Sequence, residues 1–142
     1  MNMERNYKII IIDDEKGILS TYKEYFDKRG FIVDTACDGS EGFEKLSEGE
    51  FDVAIIDIKM PKMDGIELTG KIREKGIDTS LIILTGHGGE EEAINAVNLG
   101  VDAWFGKAEI EMNKLLDKVK ELSEGVPLDE IRRLLSVIPD ED

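Results

Sequence analysis

The stretch FDVAIIDIKMPKMDG, residues 51–65, decides the fold. An uninterrupted apolar run, Val53, Ala54, Ile55 and Ile56, stops at a carboxylate, Asp57, and a loop containing Pro61 and Asp64-Gly65 follows. A short apolar run bounded by turn residues is the pattern of a strand buried on both faces. Asp57 therefore stands at the carboxyl edge of a sheet, the edge at which open parallel sheets bind ligands.

The same unit recurs on either side. YKIIII at 7–12 is a β-branched run that breaks at Asp13-Asp14-Glu15. Helical spacing of Ile18, Leu19, Tyr22, Tyr25 and Phe26 predicts a helix over 16–29, closed by Gly30. A second strand covers 31–36, and its Asp34 marks it as an edge. Asp38-Gly39-Ser40 opens a short helix carrying Phe43 and Leu46, which stops near Gly49. Beyond the Asp57 strand, Ile66, Leu68 and Ile72 mark a third helix ending near Gly76. SLIIL at 80–84 is a fourth buried strand and ends in Thr85. A fourth helix is predicted over 90–99, with acids in its first turn where the helix dipole favours them. A fifth strand over 102–106 ends at Lys107, and a fifth helix, striped by Ile110, Leu115, Leu116, Val119 and Leu122, runs to about Glu124.

Strands alternating with helices predict an α/β fold: a doubly wound five-stranded parallel sheet with helices on both faces. Of the common strand orders, the flavodoxin-like 2-1-3-4-5 is expected, because it makes strands 1 and 3 neighbours and brings Asp13, Asp14 and Asp57 together.

The 142 residues suit one main domain with a real core. No apolar run approaches the ~20 residues needed to span a bilayer. The polar N-terminus has no signal-peptide core, so a cytoplasmic protein without membrane contact is expected. A single cysteine, Cys37, excludes an internal disulfide, and we read it as a small packing residue near a strand end. A net charge of −14 disfavours direct contact with nucleic acid.

Polar residues end four strands: Asp13-Asp14, Asp57, Thr85 and Lys107. The acids outnumber the ammonium, and the excess negative charge suits a hard divalent cation. Oxygen-only ligands favour Mg²⁺ or Mn²⁺ over zinc. An aspartate, a hard metal, a lysine and a hydroxyl together suit phosphoryl transfer onto the carboxylate. A buried Asp–Lys ion pair alone would leave two acids unpaired.

These motifs resemble the receiver domain of two-component response regulators. The match lies in Asp13-Asp14-Glu15, in the run from Asp57 to Gly65, in Thr85-Gly86-His87-Gly88 and in Lys107, and it extends over about 7–124. The resemblance implies that Asp57 is the phosphoacceptor. It implies that Asp13, Asp14 and Asp57, with the backbone carbonyl of Lys59, hold Mg²⁺. Lys107 would contact the phosphoryl group, and Thr85 and Trp104 would form the switch. The donor would be a sensor histidine kinase or a phosphotransfer protein. The chain would catalyse only its own phosphorylation and dephosphorylation, and the surface of the fourth helix, fifth strand and fifth helix would carry output, including homodimerisation. Lys59 and His87, two residues beyond Asp57 and Thr85, would tune the lifetime of the acyl phosphate.

Two features depart from the family pattern. Ala108 follows Lys107 where the family has a cis-proline, and Trp104 stands where the family has Tyr or Phe. One alternative is a Mg²⁺-dependent aspartyl-phosphate phosphatase. Such enzymes carry an acid two residues beyond the nucleophile, where this chain has Lys59, a cation. Another is the receiver fragment of a longer transcription regulator. The expected organisation is a receiver domain over 1–124 and, over 125–142, an amphipathic helix striped by Leu128, Ile131, Leu134, Leu135 and Ile138 with an acidic tail. That helix suits either packing on the domain or binding a partner.

Overall fold

The three inner strands of the sheet alternate their side chains between two cores, which is why they read as unbroken apolar runs. Ile10, Ile12, Ala54, Ile56, Leu81 and Ile83 face one side with Leu46, Leu68 and Ile72. Ile9, Ile11, Val53, Ile55, Ile82 and Leu84 face the other with Leu19, Tyr22, Phe26, Leu115 and Val119. The computed structural model describes residues 6–86 and 100–125. His87 and the helices expected over 90–99 and 128–138 lie outside the described residues.

The elements are β1 (Lys8–Ile12), α1 (Lys16–Asp27), β2 (Ile32–Ala36), α2 (Gly39–Glu48), β3 (Val53–Asp57), α3 (Gly65–Glu74), β4 (Ser80–Thr85), β5 (Ala103–Gly106), a 3₁₀ turn (Lys107–Glu109) and α4 (Met112–Glu124). The strands pair in the order β2-β1-β3-β4-β5, all parallel. This is the expected flavodoxin-like α/β sheet, with α2 and α3 on one face and α1 and α4 on the other. Among the described residues, no helix is long and apolar enough to cross a membrane.

Local signals explain the boundaries. Asp38 caps α2 by accepting the Glu41 N–H at 2.7 Å, and Asp64 caps α3 by accepting that of Glu67 at 2.8 Å. After α1 and α3 the chain turns through Gly30 and Gly76, at φ +90° and +83°. There the N–H groups of Phe31 and Ile77 reach back to Phe26 O and Ile72 O, as in a Schellman ending.

Two expectations need correction. Cys37 is exposed rather than packed, and its backbone N–H donates to Glu41 Oε1 at 2.7 Å. The helix expected directly after Lys107 begins only at Met112, because the chain first makes the 3₁₀ turn. Ile110 thus packs against the core from a connecting segment. β5 runs from Ala103, and the Asp102 N–H just before it already donates to Leu81 O of β4 at 2.9 Å, so the expected strand start holds within one residue.

Asp102 Oδ2 accepts the Leu81 N–H at 2.8 Å and faces Arg73 Nη2 at 3.5 Å. Arg73 also donates to Ile77 O at 2.8 Å and, through Nη2, to Gly100 O at 3.0 Å. This cluster joins α3, β4 and the entry to β5. We expect Asp102→Ala to leave the Leu81 N–H without its acceptor, at a cost of about 1–3 kcal/mol. Asp102→Asn, which keeps an acceptor, should cost less, and thermal melts of the two variants check the ordering.

Candidate functional site

The order of the sheet places β1 beside β3, so their polar ends share the carboxyl edge. Asp13 and Asp57 are almost wholly buried, at 1% and 4% exposure, whereas Asp14 is exposed. One ligand oxygen from each of Asp13, Asp14 and Asp57 lies within 4.8 Å of the others. The backbone holds the acids in place: Asp13 N–H donates to Ala36 O at 3.1 Å, and Ile58 N–H, just after Asp57, donates to Leu84 O at 3.1 Å.

Lys107 crosses from the end of β5 into this cluster. Its Nζ lies 2.8 Å from Asp13 Oδ2, 3.1 Å from Asp57 Oδ2 and 3.5 Å from Glu15 Oε1. Among the described residues no peptide bond is cis, so the Lys107–Ala108 bond is trans and the ammonium still reaches Asp57.

The two oxygens of Asp13 differ. Oδ1 accepts the Glu15 N–H at 2.9 Å, which fixes the carboxylate. Oδ2 is buried, with the Lys107 ammonium 2.8 Å away as its ion-pair partner. Three carboxylates converging on one point, two of them buried and with one ammonium beside them, fit a hard divalent cation.

The electrostatics follow from burial and the excess of acids. Burial raises the Asp57 pKa, the Asp13 charge raises it further, and Lys107 offsets only part of this. Burial alone would lower the Lys107 pKa, but the adjacent Asp13 and Asp57 carboxylates outweigh it and hold the ammonium above the ordinary lysine value. Burial likewise raises the pKa of the Tyr22 phenol, which lies within electrostatic reach of Lys107, Asp13 and Asp57.

The other predicted residues lie on β4, β5 and the loop after β3. Thr85 is buried next to Gly106 in the β4–β5 register, and its hydroxyl donates to Phe105 O at 3.5 Å, the outer limit of a hydrogen bond. Trp104, paired in register with Ile83, leaves 50% of its surface exposed. Lys59 is exposed on the loop after β3, where it borders an open groove of about 510 Å³ with Ile58, Met60, Pro61, Asp64 and Ile66. Sequence reasoning gave Glu15 no role of its own. Its adjacency to the acid pair was the available signal, and its contact with Lys107 needed the fold.

Comparison with known proteins agrees with this architecture. Residues 9–120 match the family model described as the response regulator receiver domain. The chain is 30% identical over 113 residues to the transcriptional regulatory protein DltR of Streptococcus agalactiae, covering 80% of this chain and 50% of DltR. The chain spans about half the length of the curated relatives it matches. The receiver domain of a Francisella response regulator superposes with a TM-score of 0.79 at 31% identity, covering 84% of this chain and 98% of that one. The response regulator TrrA of Thermotoga maritima, solved in complex with Mg²⁺ and BeF, superposes with a TM-score of 0.73 at 33% identity, covering 82% of this chain and 98% of that one.

A carboxyl whose pKa rises on folding opposes folding once it ionises; the penalty is absent well below its folded-state pKa and full above it. Asp57→Asn should therefore melt above the wild type at pH 7 by a few degrees, the scale of about 1 kcal/mol in a domain of this size. The difference should shrink as the pH falls through the carboxylate range. Melting curves across pH, with and without Mg²⁺, measure both effects, and Mg²⁺ should raise the wild-type midpoint more than that of Asp57→Asn.

Proposed function

The chain belongs to the response regulator receiver domain family, and on that premise we propose that it is a phosphorylation-dependent switch with Asp57 as the acceptor. An Asp57 carboxylate oxygen attacks the phosphorus of a phosphohistidine on a sensor histidine kinase or phosphotransfer protein. The P–O bond forms as the P–N bond breaks, and the imidazole leaves with the electron pair. Asp13, Asp14, Asp57 and the Lys59 carbonyl would hold Mg²⁺ (or Mn²⁺), which when bound supplies charge neutralisation at the phosphoryl oxygens. Lys107 supplies a fixed cation at the same place.

The observation that carries this reading is the position of Lys107 Nζ between two buried carboxylates, 2.8 Å from Asp13 Oδ2 and 3.1 Å from Asp57 Oδ2. A phosphoryl group on Asp57 adds anionic oxygens within reach of this ammonium. The long Thr85 bond to Phe105 O costs little to surrender, so the hydroxyl is free to turn to a phosphoryl oxygen. That movement would be passed along β5, whose Trp104 stands at the surface, to change partner contacts, homodimer contacts included.

Residues 1–124 form the receiver in this reading, and 125–142 an appended amphipathic segment. Relatives that are transcriptional regulators support control of transcription as the output, through a partner or an effector rather than through nucleic acid bound by this acidic domain. A cytoplasmic setting suits the exposed free thiol of Cys37. Lys59 beyond Asp57 does not suit turnover of external phosphate esters, and the domain acts only on its own phosphoryl group.

Incubation with acetyl phosphate and Mg²⁺ should yield one hydroxylamine-sensitive phosphoryl adduct by intact mass, absent in Asp57→Asn and abolished by chelation. An equal adduct in Asp57→Asn would overturn the assignment. Lys59→Ala should change the decay rate of the adduct, since the exposed side chain flanks the approach to Asp57.

A further inference from the structure

β2 forms one free edge of the sheet, and its pairing with β1 fixes which of its main-chain groups point outward. Lys8 stands opposite Ile32, and Ile12 opposite Ala36. Ile32 N–H donates to Tyr7 O at 2.9 Å, and Ala36 O accepts the Asp13 N–H at 3.1 Å. In a parallel pair the bonded residues alternate, so the main chains of Ile32, Asp34 and Ala36 face β1. Those of Val33 and Thr35 face away from the sheet.

Thr35 has both outward groups taken by side chains of its own chain. Its N–H donates to Asp34 Oδ1 at 2.8 Å, and its carbonyl accepts Lys45 Nζ, from α2, at 2.6 Å. The same ammonium donates to Asp34 Oδ1 at 3.0 Å, which closes the cluster. Val33 differs: among the described residues its outward N–H and C=O have no hydrogen-bond partner. Ile32, next to it, leaves 50% of its surface exposed. Unpaired strand groups are a template for another strand. On β2 that template is open at Val33 and closed at Thr35.

We propose that the free edge of β2 is a strand-pairing surface for a second copy of this chain, held closed by Asp34 and Lys45. The pairing it fits is antiparallel about a two-fold axis, with Val33 of each copy opposite Thr35 of the other. A copy is the occupant this edge selects, because two outward residues placed symmetrically about Asp34 satisfy each other fully under that axis. Ile32 of each copy then stands opposite Ala36 of the other and gains cover. The same register sets Asp34 against Asp34, where Cβ atoms approach to about 4.5–5.5 Å and like charges destabilise the pair. The two guards are therefore different. Lys45 occupies the Thr35 carbonyl, whereas Asp34 occupies the Thr35 N–H and brings a carboxylate to the axis. Removing either leaves the other in place.

Sedimentation velocity on the unphosphorylated whole chain without Mg²⁺, over a range of concentrations, tests this. The wild type, Lys45→Ala and Asp34→Thr should stay monomeric, and the double variant Asp34→Thr/Lys45→Ala should form a dimer. Adding Val33→Pro to the double variant deletes an outward N–H without touching the bonds to β1, a change that edge strands tolerate, and should restore the monomer. Lys23→Ala, which breaks the exposed Lys23–Asp27 pair of 2.7 Å on α1, is the charge-matched control and should stay monomeric. Amide exchange followed by NMR should be fast at Val33 and slower at Thr35 in the wild type, and slow at both in the dimer. β1 separates β2 from the strand that carries Asp57, so the double variant should still take a phosphoryl group from acetyl phosphate.

A folded double variant that stays monomeric would overturn the inference, as would a dimer that survives Val33→Pro. Slow exchange at Val33 in the dilute wild type would overturn it too, since the edge would already be covered. If the double variant does not fold, exchange in Asp34→Thr decides: faster exchange at Thr35 than in the wild type supports the guard, and an unchanged rate refutes it.

Discussion

A parallel sheet covered on both faces has no room for polar groups along its strands, and this constraint arranges everything else. Ile9 to Ile12, Val53 to Ile56 and Leu81 to Leu84 are at most 1% exposed. Ionisable side chains must then wait for the strand ends. Right-handed parallel winding puts all the carboxyl ends on one edge, so chain segments far apart in sequence deliver their polar residues to one place. Asp13 and Lys107, and Asp57 between them, meet for this reason.

The edge collects more negative than positive charge. Burial makes the imbalance matter, since a carboxylate at 4% exposure cannot rely on water. Lys107 relieves part of it and is held charged in doing so. What remains raises the Asp57 pKa. A cluster with this excess of carboxylates suits a hard cation. In the nearby loop Lys62 holds a positive φ of 71°, and Gly65 lets α3 begin against the backbone of Asp57.

Legibility in the sequence varied with the range of the interaction. The strands, the helices and the acids at the strand ends were visible because each depends on a local pattern, either apolar runs, helical spacing or an abrupt polar stop. Asp34 was rightly read as an edge marker; it lies on β2 and pairs with Lys45 at 3.0 Å. Cys37 was misread because residue type suggests burial, whereas the turn that opens α2 leaves the thiol outside. Ile110 was assigned to a helix by periodicity, which does not register the 3₁₀ turn before it.

By itself the sequence determined the alternation of elements, the sites of the turns and the identity of the polar residues at the strand tips, because these follow from hydrophobic period and backbone preference over a few residues. Only the tertiary structure decided that β1 lies against β3, that Lys107 spans Asp13 and Asp57 rather than Glu15 alone, that the Thr85 hydroxyl rests on Phe105 O, and that Gly65 seats α3 against Asp57. These are relations between separate segments of the chain, set by how two cores close on one sheet, and no local run of residues encodes them.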